Sequence, residues 1–161
     1  MTINNEDAYK CGIMKKQLFA AVLLLFLPAA SVARSEPSGL QQSQIESNVP
    51  TVDSFDALLR RDLLTYFQNS LTPEATSVNY QLLRKVPTQS GLANPKYYVW
   101  VNVLKGASVQ LEGAVRLAAV EKQGFDVTHF FSKKEILEEP TKIGRIFPAA
   151  LVPLITALAA K

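Results

Sequence analysis

The chain has 161 residues, of which 48% are hydrophobic and 19% are charged, and its formal net charge is +3. These values are those of an ordinary globular domain, and they exclude a wholly disordered chain and a protein with several membrane spans. The small positive charge gives no electrostatic basis for binding nucleic acid.

Residues 1–33 have the pattern of a signal peptide. A pair of lysines precedes the apolar run 18–27, and the small-x-small sequence Ser31-Val32-Ala33 follows it. Because a membrane-spanning helix needs ~20 apolar residues, we expect cleavage after Ala33 and no transmembrane segment in the mature chain. Met14 stands directly before the lysines and is an alternative start.

Export follows from this leader, and the exported domain has to be stable without disulfides. The only cysteine, Cys11, lies in the leader, so the mature chain has no thiol for a disulfide or a metal site. Removing three lysines and two acidic residues with the leader leaves 14 basic and 12 acidic residues, a net charge of +2. We expect a periplasmic or secreted protein.

Residues 34–52 are rich in Ser, Gln, Pro and Glu and hold few aliphatic residues. Such a composition cannot bury enough apolar surface to offset the entropy of ordering. We interpret this segment as a flexible linker, with ordering on a partner as the alternative. The remaining residues, 53–161, form the predicted single domain.

The domain begins with a predicted amphipathic helix. Asp53 or Ser54 can cap its first turn, and Thr72-Pro73 predicts an end near Ser70. Apolar residues recur at helical spacing through the segment, namely Phe55, Leu58, Leu59 and Leu63.

Four strands are predicted after this helix. Residues 77–86 alternate between apolar and polar, which is typical of a half-buried strand. Residues 96–131 contain three β-rich runs separated by turns at Gly106 and Gly124, and neither gap can hold a crossover helix. The prediction is an α+β fold of α-β-β-β-β order, with the helix packed on a four-stranded antiparallel sheet.

The turns predict a register. A two-residue turn at Gly106 and Ala107 places Trp100 opposite Gly113, and a three-residue loop ending at Gly124 places Leu117 opposite His129. The face that we expect under the helix then includes Tyr98, Trp100, Val115, Leu117 and Phe131. The chain's C-terminus or another molecule is expected to cover part of the opposite face.

Short helices are predicted after the sheet. Residues 132–135 have capping-box spacing, Pro140 ends that helix, and a second helical turn spans residues 141–147. The apolar tail, 148–161, is expected to be helical, with Pro153 bending the helix or beginning it. Packing in the core, a protein interface and membrane binding are the three interpretations of this tail.

Few residues indicate chemistry. His129, the sole histidine, is interpreted as a core residue, and we assign no catalytic residue, cofactor site or metal ligand. Tyr97 is expected across from Arg116 on the second sheet face. That pair is either a cation-aromatic contact or part of a groove in which Arg116 recognises an anion.

The order of a helix and four antiparallel strands over residues 53–131 resembles the cystatin-like and NTF2-like arrangements, in which a curved sheet wraps around a helix. The resemblance concerns the element order alone. The inhibitory loop motif of cystatins is absent, so the resemblance assigns no functional residue.

Three functions are compatible with this sequence. We favour an exported, non-enzymatic module that binds another envelope protein or a second copy of itself. The first alternative is a carrier of a small apolar ligand, held between helix and sheet by Tyr98, Trp100 and Phe131, and the second is an enzyme. The candidate contacts to a ligand or partner are Tyr97, Tyr98, Trp100, Arg116, Phe130, Leu151 and Ile155.

Overall fold

The computed structural model describes residues 39–161, and the leader predicted over residues 1–33 lies outside them. An antiparallel sheet of order β1-β2-β3-β4 lies between helices, which confirms the predicted α+β fold. The strands are β1 Ser77–Leu82, β2 Lys96–Lys105, β3 Ser108–Val120 and β4 Gly124–Ser132. The α-helices of the described residues are α1 Gly39–Asn48, α2 Val52–Ser70, α3 Lys133–Glu138, α4 Pro140–Ile146 and α5 Val152–Ala159, and a 3₁₀ helix, Ala149–Leu151, precedes α5.

Helix α1 lies inside the segment 34–52, for which we expected no secondary structure. It buries none of its side chains, but its last residue is tied to the turn between β3 and β4. The carbonyl oxygen of Asn48 accepts from the backbone N–H of Lys122 over 2.9 Å, and its side-chain oxygen accepts from that of Glu121 over 3.2 Å. Composition alone does not reveal such long-range contacts, so the linker interpretation missed this helix.

Helix α2 matches the predicted amphipathic helix and ends at Ser70 as expected. Its N-cap is Thr51 rather than Asp53 or Ser54, and no side chain caps it. The carbonyl oxygen of Thr51 accepts from the N–H of Phe55 over 2.9 Å. One side of α2 packs on the sheet through three fully buried side chains, those of Leu59, Leu63 and Phe67.

The sheet face under α2 differs from the predicted one. From β2 it presents Tyr97, Val99, Val101 and Val103, and not Tyr98 and Trp100. From β3 it presents Val115 and Leu117, as predicted. We call the core between α2 and the sheet the first core. The residues predicted for it from β3 were therefore correct, and those predicted from β2 were wrong.

A β-bulge in the β2–β3 hairpin explains this error. Lys105 pairs with Ser108 across the predicted two-residue turn, and Leu104 pairs with Val109. The next pair is Val103 with Leu111, so one residue of β3 has no partner, and Trp100 pairs with Ala114 rather than with Gly113. Because successive side chains of a strand point to opposite faces, this one-residue shift exchanges the two faces of β2 relative to β3.

The β3–β4 turn also differs from the prediction. Gly124 pairs with Val120 inside the ladder, and the left-handed backbone positions are Glu121, with φ 49°, and Lys122, with φ 60°. Leu117 consequently pairs with Val127 and not with His129.

The helices after β4 cover the second sheet face and form a second core with it. The capping box at Ser132 is confirmed, since its hydroxyl accepts from the N–H of Glu135 and the Glu135 carboxylate accepts from the N–H of Ser132. Pro153 lies in the first turn of α5, so the helix begins there. The second core contains Tyr98, Trp100, Ala114, Ile136, Ile143, Phe147, Leu151, Ile155 and Ala159. The apolar tail is thus part of the core.

Candidate functional site

The structure buries five of the seven candidate contacts chosen from the sequence. Tyr97 lies in the first core, beneath α2. Phe130 and Arg116 are half-buried, with the ring of Phe130 packed edge-on against Phe67 at a centroid distance of 5.1 Å. The other four, Tyr98, Trp100, Leu151 and Ile155, lie in the second core.

The pocket proposed for an apolar ligand is filled by the protein itself. Tyr98, Trp100 and Phe131 are on the face away from α2, and the C-terminal helices pack on them. The ring of Phe147 lies 5.7 Å from that of Tyr98 and 6.2 Å from that of Phe131. These side chains act as core residues, and they line none of the three surface grooves that we describe below.

Among residues 39–161, the first part of β3 pairs with a strand on one side only. β3 begins at Ser108, but its pairing with β4 begins only at Gly113, which lies opposite Ser132. The chain turns away at Ser132 because the capping box starts α3 there. Residues 108–112 therefore adjoin β2 on one side and no other described strand, and we call them the free edge of β3.

An apolar groove of about 680 Å³, the α3 groove, lies between the free edge and helix α3. Val109 and Leu137 are 49% and 52% exposed there. Its polar border includes an ion pair between Lys133 and Glu112 with a nitrogen-oxygen distance of 3.2 Å. The groove is lined by Val109, Gln110, Leu111, Glu112, Ser132, Lys133, Lys134 and Leu137.

A second groove of about 590 Å³, the α2 groove, lies between the free edge and the end of α2. It shares Gln110, Leu111 and Ser132 with the α3 groove, so the free edge separates the two. The groove is lined by Tyr66, Leu71, Thr72, Gln110, Leu111, Phe130, Ser132 and Glu135.

Charged side chains of α2 reach the other two edges of the sheet. Arg60 donates to the carbonyl oxygen of Val78 in β1 over 3.0 Å, and the N–H of Phe125 in β4 donates to Asp62 over 2.7 Å. Asp62 also accepts from Arg61 and lies in a polar groove of about 700 Å³ beside the β3–β4 turn. Such contacts occupy backbone groups that would otherwise pair with another chain.

A polar cluster surrounds Arg116 on the face of the C-terminal helices. A second bulge pairs Arg116 with His129 and leaves Thr128 without a partner in the ladder. Arg116 donates through Nε to Thr128 Oγ1 over 3.0 Å, and its Nη2 lies 2.9 Å from His129 Nδ1. Burial, and then the positive charge of Arg116, lower the pKa of His129 below its usual value.

This cluster differs from the predicted environment of both residues. His129 lies beside Arg116 and not in the core beside Leu117, and Tyr97 pairs with Leu117 rather than with Arg116. The predicted contact of Arg116 with Tyr97 was therefore wrong. The position opposite Arg116 in β2 belongs to Tyr98.

The chain matches no protein-family model, no curated protein and no solved structure. Among the helices of residues 39–161, none combines the length and the hydropathy needed to span a bilayer. The same residues contain no group of three or more His, Cys, Asp or Glu side chains placed to hold a metal ion.

The free edge was not among the sites predicted from the sequence, although two signals for it were present. The Gly106 turn sets the start of β3, and the capping box at Ser132 sets the end of β4. Because β3 has 13 residues and β4 has 9, part of β3 must lie beyond its neighbour.

Proposed function

We propose that this chain is an exported, non-enzymatic protein-binding module that takes an extended segment of another envelope protein as an additional strand on the free edge of β3. One observation supports this proposal above the others. Within residues 39–161, the five residues 108–112 have a strand neighbour on one side only, and they lie between two grooves with apolar side chains.

The physical argument concerns hydrogen bonds first. An unpaired strand edge presents backbone N–H and carbonyl groups that an extended peptide can pair with, and this pairing provides affinity in strand addition. The α2 helix places charged side chains on β1 and β4, at Val78 and Phe125. Each of these contacts occupies one backbone group of its edge, whereas the free edge of β3 lies between two grooves with apolar side chains, and for that reason we select it.

The two grooves would supply specificity. Side chains of an added strand alternate in direction, so neighbouring residues of the partner segment would enter the α3 groove and the α2 groove in turn. Val109 and Leu137 are available for apolar contact in the first groove, and Leu111 and Leu71 in the second. The partner segment is accordingly extended, with apolar side chains on both of its faces.

Site-specific photo-crosslinking tests this proposal in the protein's own cells. Benzoylphenylalanine is placed at position 109 and, as a matched control, at position 86, because Val86 is 55% exposed and lies in the β1–β2 loop. We expect an adduct of defined mass from position 109 and none from position 86. An adduct with twice the mass of the chain would identify a second copy as the partner.

Hydrogen exchange then tests the binding mode. With the crosslinked partner purified and added to the unmodified protein, the amides of residues 108–112 should exchange more slowly, because new backbone hydrogen bonds protect them. Val109→Lys should abolish both the protection and the binding, whereas Val86→Lys should leave them unchanged. Equal adducts at both positions, or unchanged exchange over residues 108–112, would disprove the proposal.

A further inference from the structure

Three side chains that can carry positive charge project from the sheet face of the C-terminal helices, with Arg116 between the other two. Arg116 is paired in register with His129 on β4 and with Tyr98 on β2. Lys96 precedes Tyr98 by two positions on β2, so its side chain points to the same face. All three of these cationic or ionisable side chains are half-buried.

Arg116 is held in a defined orientation. Besides its bonds to Thr128 Oγ1 and His129 Nδ1, its Nη1 donates to the carbonyl oxygen of Ile146, at the end of α4, over 3.4 Å. A guanidinium has five N–H groups, so these three contacts leave two that can donate to another group. The sheet and α4 thus position the guanidinium from two sides.

The cluster lacks a carboxylate partner within the part of the chain that the structure describes. No carboxylate of residues 39–161 lies within 4.0 Å of the charged groups of Lys96 or Arg116. Asp126 lies in the cross-strand row of Lys96. It pairs with Ala118 of β3, and Ala118 pairs with Lys96 of β2. Burial, and then repulsion by Arg116, lower the pKa of Lys96.

We propose that Lys96 and Arg116 form, beside His129, a binding site for a small oxyanion, the group shared by phosphates, sulfates and carboxylates. Arginine can only donate hydrogen bonds, so His129 Nδ1 accepts and the neutral ring carries its proton on Nε2. The free N–H groups of Arg116 and the ammonium group of Lys96 are donors of the kind that bind an oxyanion, whereas the Nε2–H group of His129 points away from Arg116, so the ring borders the site and responds to its charge. This site is separate from the free edge of β3 and does not depend on the proposed function.

The sole histidine of the chain gives a direct measurement. The ring C–H signals of His129 are followed by NMR as a function of pH in sodium chloride, sodium sulfate and sodium acetate of equal ionic strength. An oxyanion bound beside the ring favours its protonated form, so we expect sulfate or acetate to raise the pKa of His129 by about 0.5 or more relative to chloride. A pKa that rises in sulfate alone would identify the bound group as a tetrahedral oxyanion, and one that rises in acetate alone would identify it as a carboxylate. Equal pKa values in all three salts would overturn the proposal.

Variants separate specific binding from a general salt effect. Arg116→Gln removes the repulsion, so the pKa of His129 should rise in chloride and should no longer depend on the anion. Arg61→Gln removes an equal charge from α2, on the other side of the sheet, and should keep the wild-type response. Asp126 on β4 and Arg145 on α4 remain in both variants and provide a constant charged background.

Lys96→Gln covers the case in which Arg116→Gln does not fold. It should weaken the affinity for the responding anion by about threefold or more, as expected for the loss of one partly exposed charge. An anion response that persists unchanged in Lys96→Gln and Arg116→Gln would show that these side chains do not form the site, and would overturn the proposal.

Discussion

Val103 of β2 lies opposite Leu111 of β3, while its neighbour Leu104 lies opposite Val109, so Gln110 has no partner across the ladder. The bulge at Gln110 places Val109 and Leu111, which are two residues apart, on opposite faces of the free edge. Val109 lines the α3 groove, and Leu111 packs against the first core and lines the α2 groove as well. In a regular strand of the same length the side chains would also alternate between the two faces, but different residues would lie under α2.

Deleting Gln110 should remove the bulge without disturbing the core. The pairs Leu104–Val109 and Val103–Leu111 then follow one another directly, and the rest of the register is unchanged. We expect the free energy of unfolding, measured by urea denaturation, to change by less than about 1 kcal/mol.

The control is deletion of Ala114, which pairs with Trp100 on one side and Phe131 on the other. This deletion moves the residues on one side of it to the opposite face. If the bulge absorbed the loss, Glu112 would occupy the place of Gly113, where a Cβ would overlap the carbonyl oxygen of Phe131. We expect no folded domain, and equal stability of the two deletions would contradict the observed register.

Local patterns in the sequence predicted most helices and strands, because the boundaries of these elements are set by interactions among a few neighbouring residues. The capping box at Ser132, the turn at Gly106 and the proline at position 153 each set an element boundary where the structure has it. The meander of β2, β3 and β4 follows from such boundaries alone.

The register was not predictable in the same way. Tyr97, Val99, Val101 and Val103 form one face of β2, but Tyr98 and Trp100 make the other face apolar too, so the pattern of β2 does not show which face α2 covers. The bulges decide this question, and they leave no clear mark on local composition. The cluster of Arg116 and His129 was missed for the same reason, since it depends on the bulge at Thr128.

The tail contributes to stability through Ile155, which is fully buried, whereas the adjacent Leu154 is 40% exposed. Ile155→Ala should lower the free energy of unfolding by about 2–5 kcal/mol, because it leaves a cavity in the second core. Leu154→Ala in the same helix should cost less than about 1 kcal/mol. Urea denaturation measures both values, and similar losses would mean that the tail is not packed as the structure shows.

The capping box predicts a dependence of stability on pH. Hydrogen bonds from the hydroxyl and then the backbone N–H of Ser132 lower the pKa of Glu135 below its ordinary value of 4.5. The unfolded state then binds more protons in acid, so this contribution is present above pH 4.5 and is lost as the pH falls through the folded-state pKa.

Ser132→Ala should therefore cost about 1 kcal/mol at neutral pH and less in acid. Glu135→Gln keeps an acceptor for the N–H of Ser132 but cannot titrate, so its stability should fall less steeply below pH 4.5 than that of the wild type. Denaturation at several pH values measures these slopes, with Ser90→Ala in the β1–β2 loop as the control for loss of an exposed hydroxyl. Parallel curves for the wild type and Glu135→Gln would contradict this account.

Gly124 permits the contact between α2 and β4. A Cβ on this residue would overlap Asp62 Oδ2 and would lie 2.9 Å from Arg61 Nη2. Asp62 would have to move away from the N–H of Phe125, from which it accepts a hydrogen bond of 2.7 Å. Because this leaves a part-buried donor without its acceptor, Gly124→Ala should lower the free energy of unfolding by about 1–3 kcal/mol.

Gly144→Ala is the matched control for this substitution. Gly144 lies inside α4, and a Cβ there meets nothing within 4 Å. Alanine should stabilise this helix by about 0.5–1 kcal/mol, because glycine loses more backbone freedom on folding. The two Gly-to-Ala substitutions should thus shift the urea midpoint in opposite directions. A shift in the same direction would mean that the close approach of Asp62 to the β3–β4 turn does not stabilise the domain.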